Sequence, residues 1–206
     1  MKNKIYLASQ SPRRGELLQQ INIEYKIIKL DVDERVLDSE SPAQYTQRLA
    51  MAKAKQGWLI NNQKGEPVLG ADTCIAFQGE ILGKPRDREH ALDMLQRLSG
   101  NTHDVYTAVA VVGHNASGEY LENSLLNRSQ VEFRQTTLKE REWYWNTGEP
   151  MDKAGAYAIQ GLGAVFISKI EGSYSGIMGL PLFEVSELLR QFGVTPAGGQ
   201  ANAYEK

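Results

Sequence analysis

Near its start the chain passes from an apolar run, Ile5-Tyr6-Leu7-Ala8, through a polar loop to a helix start at Ser11-Pro12, after which Leu17, Leu18 and Ile21 share one helical face. This order reads as strand, loop, helix, with Ser11 as N-cap and Pro12 at the first helical position. The constraint lies in Arg13-Arg14, which fall in the first helical turn. That end of a helix already carries free N–H groups and partial positive charge. Two cations there either point into solvent, at a cost of a few tenths of a kcal/mol each, or meet an anion such as phosphate. The stretch alone leaves both readings open.

The rest of the chain narrows the setting. At 206 residues it is long enough to bury a real core, and one domain over residues 1–194 is expected. The net charge of −2 offers no basic field, so no nucleic-acid partner is expected. A lone cysteine, Cys74, excludes an internal disulfide framework. The apolar run behind Met1 is too short for a signal peptide and no stretch approaches a membrane span, so a cytoplasmic protein without a membrane partner is the expectation. Asn115-Ala116-Ser117 and Asn127-Arg128-Ser129 fit the glycosylation pattern by chance in that setting.

In chain order, residues 24–28 read as a strand, followed by Asp31-Val32-Asp33-Glu34, either a solvated acidic loop or hard oxygen ligands for magnesium. Ser41-Pro42-Ala43-Gln44 is a capping box opening a helix to about Gly57, with Lys53 and Lys55 leaving it on different sides. Residues 68–77 form a nearly continuous buried strand interrupted by Asp72, which is costly there unless paired or bound. Gly70 and Ala71 clear space beside it for close approach of a ligand, which favours a functional aspartate over a turn cap. Gln78-Gly79 reads as a hairpin turn leading to Gly83-Lys84-Pro85, where the pinned Lys84 either reaches a phosphate or is a plain surface lysine.

Asp87 caps the next helix, which ends at Gly100. His90 and His103 have no zinc-spaced partner and read as structural or exposed. Residues 105–112 should be a central strand, with a second strand from about Glu119 and a half-exposed one at 130–134. A second capping box, Thr137-Leu138-Lys139-Glu140, starts a helix that ends at Gly148, and at least one of Trp143 and Trp145 should face the core. The small-residue stretch 151–163 precedes a strand expected at 164–167, the wrong order for a dinucleotide fingerprint, and no Walker A loop occurs. Gln160, with one donor and one acceptor group, either reads a nucleobase edge or belongs to a packed crossover loop. A final helix is expected over about 183–192, then a disordered tail over 195–206.

Ser9-Gln10-Ser11-Pro12-Arg13-Arg14 resembles the N-terminal signature of the Maf family of nucleotide pyrophosphatases. Gly70-Ala71-Asp72-Thr73, Gly83-Lys84-Pro85, and Asp152-Lys153-Ala154-Gly155-Ala156-Tyr157 with Ile159-Gln160-Gly161 match the same pattern in order, covering nearly all the chain up to about Gly193. Ala158 and Cys74 depart from it slightly, away from the inferred chemistry. The loop around Gln160 looks like the branch acting on dTTP and UTP.

The resemblance implies an α/β fold, a mixed twisted sheet flanked by helices, with two lobes around a deep cleft. It implies hydrolysis of a nucleoside triphosphate to monophosphate and pyrophosphate, a divalent metal cation (magnesium or manganese), and a homodimer. Carried over by position, Asp72 is the catalytic carboxylate and Lys84 joins it on the phosphate side with Ser9, Arg14 and Lys53. Arg13, Thr73 and Gln160 become specificity positions, and Glu34 with Asp72 the metal-side carboxylates. A nucleotide-binding regulator of septum formation without significant catalysis is the alternative.

Overall fold

The computed structural model describes residues 3–61 and 65–196. The expected tail therefore lies outside the described residues from position 197 onward. One seven-stranded mixed sheet organises the chain, in the order β2-β1-β3-β5-β6-β7 with β4 also on β3. Its strands are β1 (Lys4–Ala8), β2 (Glu24–Ile27), β3 (Val68–Phe77), β4 (Glu80–Leu82), β5 (Thr102–His114), β6 (Tyr120–Phe133) and β7 (Ile167–Glu171). The helices are α1 (Pro12–Gln20), α2 (Pro42–Ile60), α3 (Arg88–Leu98), α4 (Leu138–Asn146), the single turn α5 (Tyr174–Ile177) and α6 (Leu182–Gln191).

Local signals set most of these boundaries. Both expected capping boxes form, Ser41 with Gln44 and Thr137 with Glu140, each satisfying donors that a helix start leaves orphaned. Asp87 accepts from the His90 N–H and starts α3. Ser11 is the N-cap of α1 but its side chain makes no capping bond. Helix α2 continues beyond Gly57 to Ile60, because Gly57 packs in contact range of Val68 and Ala8 rather than ending the helix. Strands β5 and β6 are one long antiparallel pair, so the two strands expected between 119 and 134 are a single β6. The strand expected at 164–167 begins only at Ile167, after a 3-10 turn over Leu162–Phe166.

The sheet changes character along β3. Strand β5 covers one edge of β3 from Val68 to Ala76. On the other edge β1 pairs in parallel with residues 68–70, and β4 pairs antiparallel with residues 75–77. Residues 71–74 lie between those partners, at the mouth where β1 ends and β4 has yet to begin. Three apolar clusters surround this point. Leu17, Leu18, Leu69, Val109 and Leu188 pack α1 and α6 on one face. Ala50, Ala54, Trp58 and Ala110 pack α2 on the other. Beyond the gap, Ile75, Met94, Phe133, Tyr144 and Phe166 form a separate core under α3 and α4. His103 belongs to this last core, 3% exposed, while Trp145 packs against it and Trp143 stands 47% exposed.

Candidate active site

A cleft of about 900 Å³ opens at this break, and Ser9, Arg13, Arg14, Glu34, Lys53, Asp72, Thr73, Lys84 and Gln160 all line it. Every site residue named from the sequence is thus brought to one cavity, from segments as far apart as β1 and the loop before β7. This is a ligand position of the kind open sheets offer where strand connections diverge.

Asp72 sits at the floor on β3, 7% exposed. Lys53 reaches it from α2, with Nζ 2.6 Å from Asp72 Oδ1 and 2.6 Å from Glu34 Oε1. The ion pair explains how a charged side chain occurs in a buried strand. No partner is bonded to Asp72 Oδ2 among the described residues. Burial lifts the Asp72 carboxyl above its usual range, against the opposing charges of Lys53 and Arg14 and the Lys53 hydrogen bond. Glu34 is delivered by the loop after β2, which α2 holds: Tyr45 donates to the Glu34 carbonyl at 3.0 Å, and Arg48 donates to the Arg35 carbonyl at 3.0 Å. The acidic run is split by this loop, because Asp33 turns away to pair with Arg35 while Glu34 enters the cleft.

Arg14 crosses the cleft edge and spends its donors on the protein. Nε donates to the Gly179 carbonyl at 2.9 Å, Nη1 to Ser9 Oγ at 2.9 Å, and Nη2 to Thr73 Oγ1 at 3.2 Å. Thr73 Oγ1 lies 2.9 Å from Thr107 Oγ1, which donates to the Gly176 carbonyl at 2.8 Å. Since Thr107 gives its hydrogen to Gly176, Thr73 is the donor to Thr107. Burial pulls the Arg14 guanidinium below its usual range, with Asp72 and Glu34 acting against that. Arg13 differs: among the described residues it has no hydrogen-bonded or ion-paired partner, and neither has Lys84. Ser9 Oγ also accepts from the Ser11 N–H at 3.3 Å, shaping the loop into α1.

The far wall is the small-residue stretch. Lys153 and Tyr157 both line the cleft, Lys153 paired with Asp152 and the Tyr157 hydroxyl 2.8 Å from His103 Nε2. Sequence reasoning gave neither Asp152 nor Lys153 a role, although both lie in a matched motif. The paired charges directly before the glycine-rich stretch were the available signal. Gln160 is exposed on this wall and bonded to no described residue.

Five cationic side chains, Arg13, Arg14, Lys53, Lys84 and Lys153, thus line one cleft with the buried carboxylate of Asp72. A family model described as Maf-like protein matches residues 4–192. A relative from Alkalilimnicola ehrlichii described as dTTP/UTP pyrophosphatase is 50% identical over 194 residues, covering 92% of this chain and 93% of its own length. Another so described, from Nitrosomonas europaea, is 47% identical, covering 94% and 96%. A solved HAM1 protein from Coxiella burnetii aligns with a TM-score of 0.45 at 17% identity, over 92% of this chain and 99% of that one. The chain belongs to the Maf-like protein family.

Proposed function

We propose that this protein hydrolyses dTTP and UTP to the nucleoside monophosphate and pyrophosphate. The observation that carries the reading is the buried Asp72 at the cleft floor, with one oxygen held by Lys53 and the other unpartnered among the described residues. The relatives described as dTTP/UTP pyrophosphatases support the substrate choice.

In this reading Lys53 fixes the Asp72 carboxylate, so Oδ2 faces the substrate. A water molecule there loses its proton to Asp72 as its oxygen forms a bond to phosphorus, and the bridge between the α and β phosphates breaks. The departing pyrophosphate carries its charge into Arg13, Lys84 and Lys153, which line the cleft, and to the N-terminus of α1, whose N-cap side chain leaves first-turn donors open. Arg14 holds Ser9 and Thr73 in place around that charge. Gln160 meets the base edge.

The carboxylates of Glu34 and Asp72 converge on one atom, Lys53 Nζ. Lys53 Nζ occupies that point, so a magnesium or manganese ion would use the second oxygen of each carboxylate, hard donors of the kind such ions take. Glu34 and Asp72 would hold such an ion together with phosphate oxygens, and it would supply further neutralisation of the triphosphate charge. Among the described residues no cluster of three or more metal-ligating His, Cys, Asp or Glu side chains exists, and substrate oxygens and water would complete the shell. The homodimer and the cytoplasmic setting belong to the same proposal. Among the described residues no helix is long and apolar enough to cross a membrane.

The test is pyrophosphate release with magnesium from dTTP, UTP, CTP, dATP, GTP, 7-methyl-GTP and 5-methyl-UTP, with Asp72→Asn alongside. Release from dTTP and UTP, reduced roughly 10²- to 10⁴-fold in the variant, is expected. Near-normal turnover by Asp72→Asn would remove Asp72 from the proton transfer. Binding without release from any nucleotide would overturn the enzyme reading in favour of a regulator.

A further inference from the structure

The loop that brings Gln160 to the cleft is held from behind by two residues that do not line the cleft. Tyr144, buried on α4, accepts from the Ala158 N–H at 3.1 Å and donates to Glu149 Oε1 at 2.7 Å. Glu149 also accepts from the Leu162 N–H at 2.9 Å and the Gly163 N–H at 3.0 Å. The bonds therefore grip the backbone on both sides of Gln160, two residues before it and two and three residues after it, and leave the Gln160 side chain free. The fit is close. A Cβ on Gly161, whose φ is +148°, would lie 2.4 Å from Glu149 Oε2, and a Cβ on Gly163 would lie 2.5 Å from the Tyr144 hydroxyl oxygen. Glu149 itself is anchored just past α4, with its N–H on Thr147 Oγ1 at 3.2 Å, and it opens the 3-10 turn Glu149–Asp152 that leads to Lys153. Burial raises its carboxyl pKa, but the Gly163, Leu162 and Tyr144 hydrogen bonds outweigh this and keep it below the usual range, so it is a carboxylate at neutral pH.

We propose that Glu149 is a positioning residue for base recognition: with Tyr144 it fixes the loop over residues 158–163 so that Gln160 meets the nucleobase in a single pose. The inference rests on the reading of Gln160 as the side chain that meets the base. A carboxylate is required because all three of its partners are donors. An amide at this position turns one of its two acceptors into a donor facing a donor. The consequence falls on choice between pyrimidines, since uracil and cytosine differ in the donor and acceptor pattern that an amide can read. A recognition group displaced by about 1 Å loses much of that discrimination.

The experiment measures kcat and KM for UTP and CTP in the wild type, Glu149→Gln, Tyr144→Phe, Gln160→Ala and the double variant Glu149→Gln with Gln160→Ala. Glu149→Gln should raise KM for UTP more than it lowers kcat. It should also reduce the UTP-to-CTP ratio of kcat/KM by roughly tenfold to a hundredfold. Tyr144→Phe keeps the buried ring and removes only the hydroxyl link, so it should move the ratio the same way by less. It carries the test if Glu149→Gln fails to fold. In the Gln160→Ala background the Glu149 substitution should leave the ratio unchanged. An equal loss on both nucleotides, or the same shift in ratio with and without Gln160, would reduce Glu149 to a structural role and overturn the proposal. A wild-type ratio in Gln160→Ala alone would instead sink the reading of Gln160, and the proposal with it.

Discussion

Two adjacent arginines of one helical turn do different work. Arg14 is built into the wall by three bonds to Gly179, Ser9 and Thr73, whereas Arg13 reaches the same cleft with no protein partner among the described residues. Removing the first strands several polar groups; removing the second strands none. Arg14→Ala should therefore cost about 2–3 kcal/mol of folding stability, read by chemical denaturation, as well as activity. Arg13→Ala should leave the denaturation midpoint within about 0.5 kcal/mol and raise KM for the nucleotide. His103 makes a second prediction at this scale. Burial holds its pKa down to about 4 from 6.5, with Asp104 opposing weakly. The folded state favours the neutral ring, so its contribution is complete above pH 6.5. That contribution is lost as pH falls towards 4, by about 3 kcal/mol in total, because the unfolded chain takes up the proton first. In His103→Leu the slope of stability against pH between 4 and 6.5 should be correspondingly flatter.

At the scale of elements, the packing of α2 on β3 decides whether Lys53 meets Asp72. Gly70 lies two residues before Asp72, on the same face of the strand, and a Cβ there would be 2.4 Å from the Ala50 carbonyl and 2.5 Å from the Ala54 N–H. The space at Gly70 is thus taken by the α2 backbone and not by a ligand, contrary to the expectation from the sequence, and these backbone atoms cannot rotate away. Gly70→Ala should push the helix off the strand, cost about 1–3 kcal/mol by denaturation, and depress kcat through the disturbed Lys53–Asp72 pair. The same contact shows what sequence reading can reach. The capping boxes at Ser41 and Thr137 and the apolar run of β3 are signals spelled out within a few residues, and they were legible. The approach of Lys53 to Asp72 spans 19 positions and depends on the bare backbone at Gly70, so the residues alone show Lys53 as one of two lysines leaving a helix on different sides, and the family resemblance names it as a phosphate-side residue without its pairing to Asp72. The stretch after Gly148 was misread at 164–167 for a related reason. Its turns are set by Glu149 and Tyr144, whose partners lie 13 or 14 residues further on, and no local period records that. The nucleotide site itself was legible through the family resemblance more than through spacing: the cation pair at Arg13-Arg14 was compatible with solvent, and only the set of motifs pointed to one cleft.

For the whole molecule, the decisive feature is that β1 and β4 share one edge of β3 in succession, while β3, β5 and β6 run unbroken past both walls of the cleft. Amides of β5 opposite the junction, around Val105, Thr107 and Val109, should be among the slowest to exchange with deuterium. Nucleotide should slow exchange in α1 and in the loop around Gln160 while leaving these nearly unchanged. Equal protection gains across β5 would show that the shared strands themselves rearrange. The two walls are thus mounted on a common plate, like two brackets on one leaf spring. A relative movement of the two walls would therefore have to twist the shared strands β3, β5 and β6 themselves.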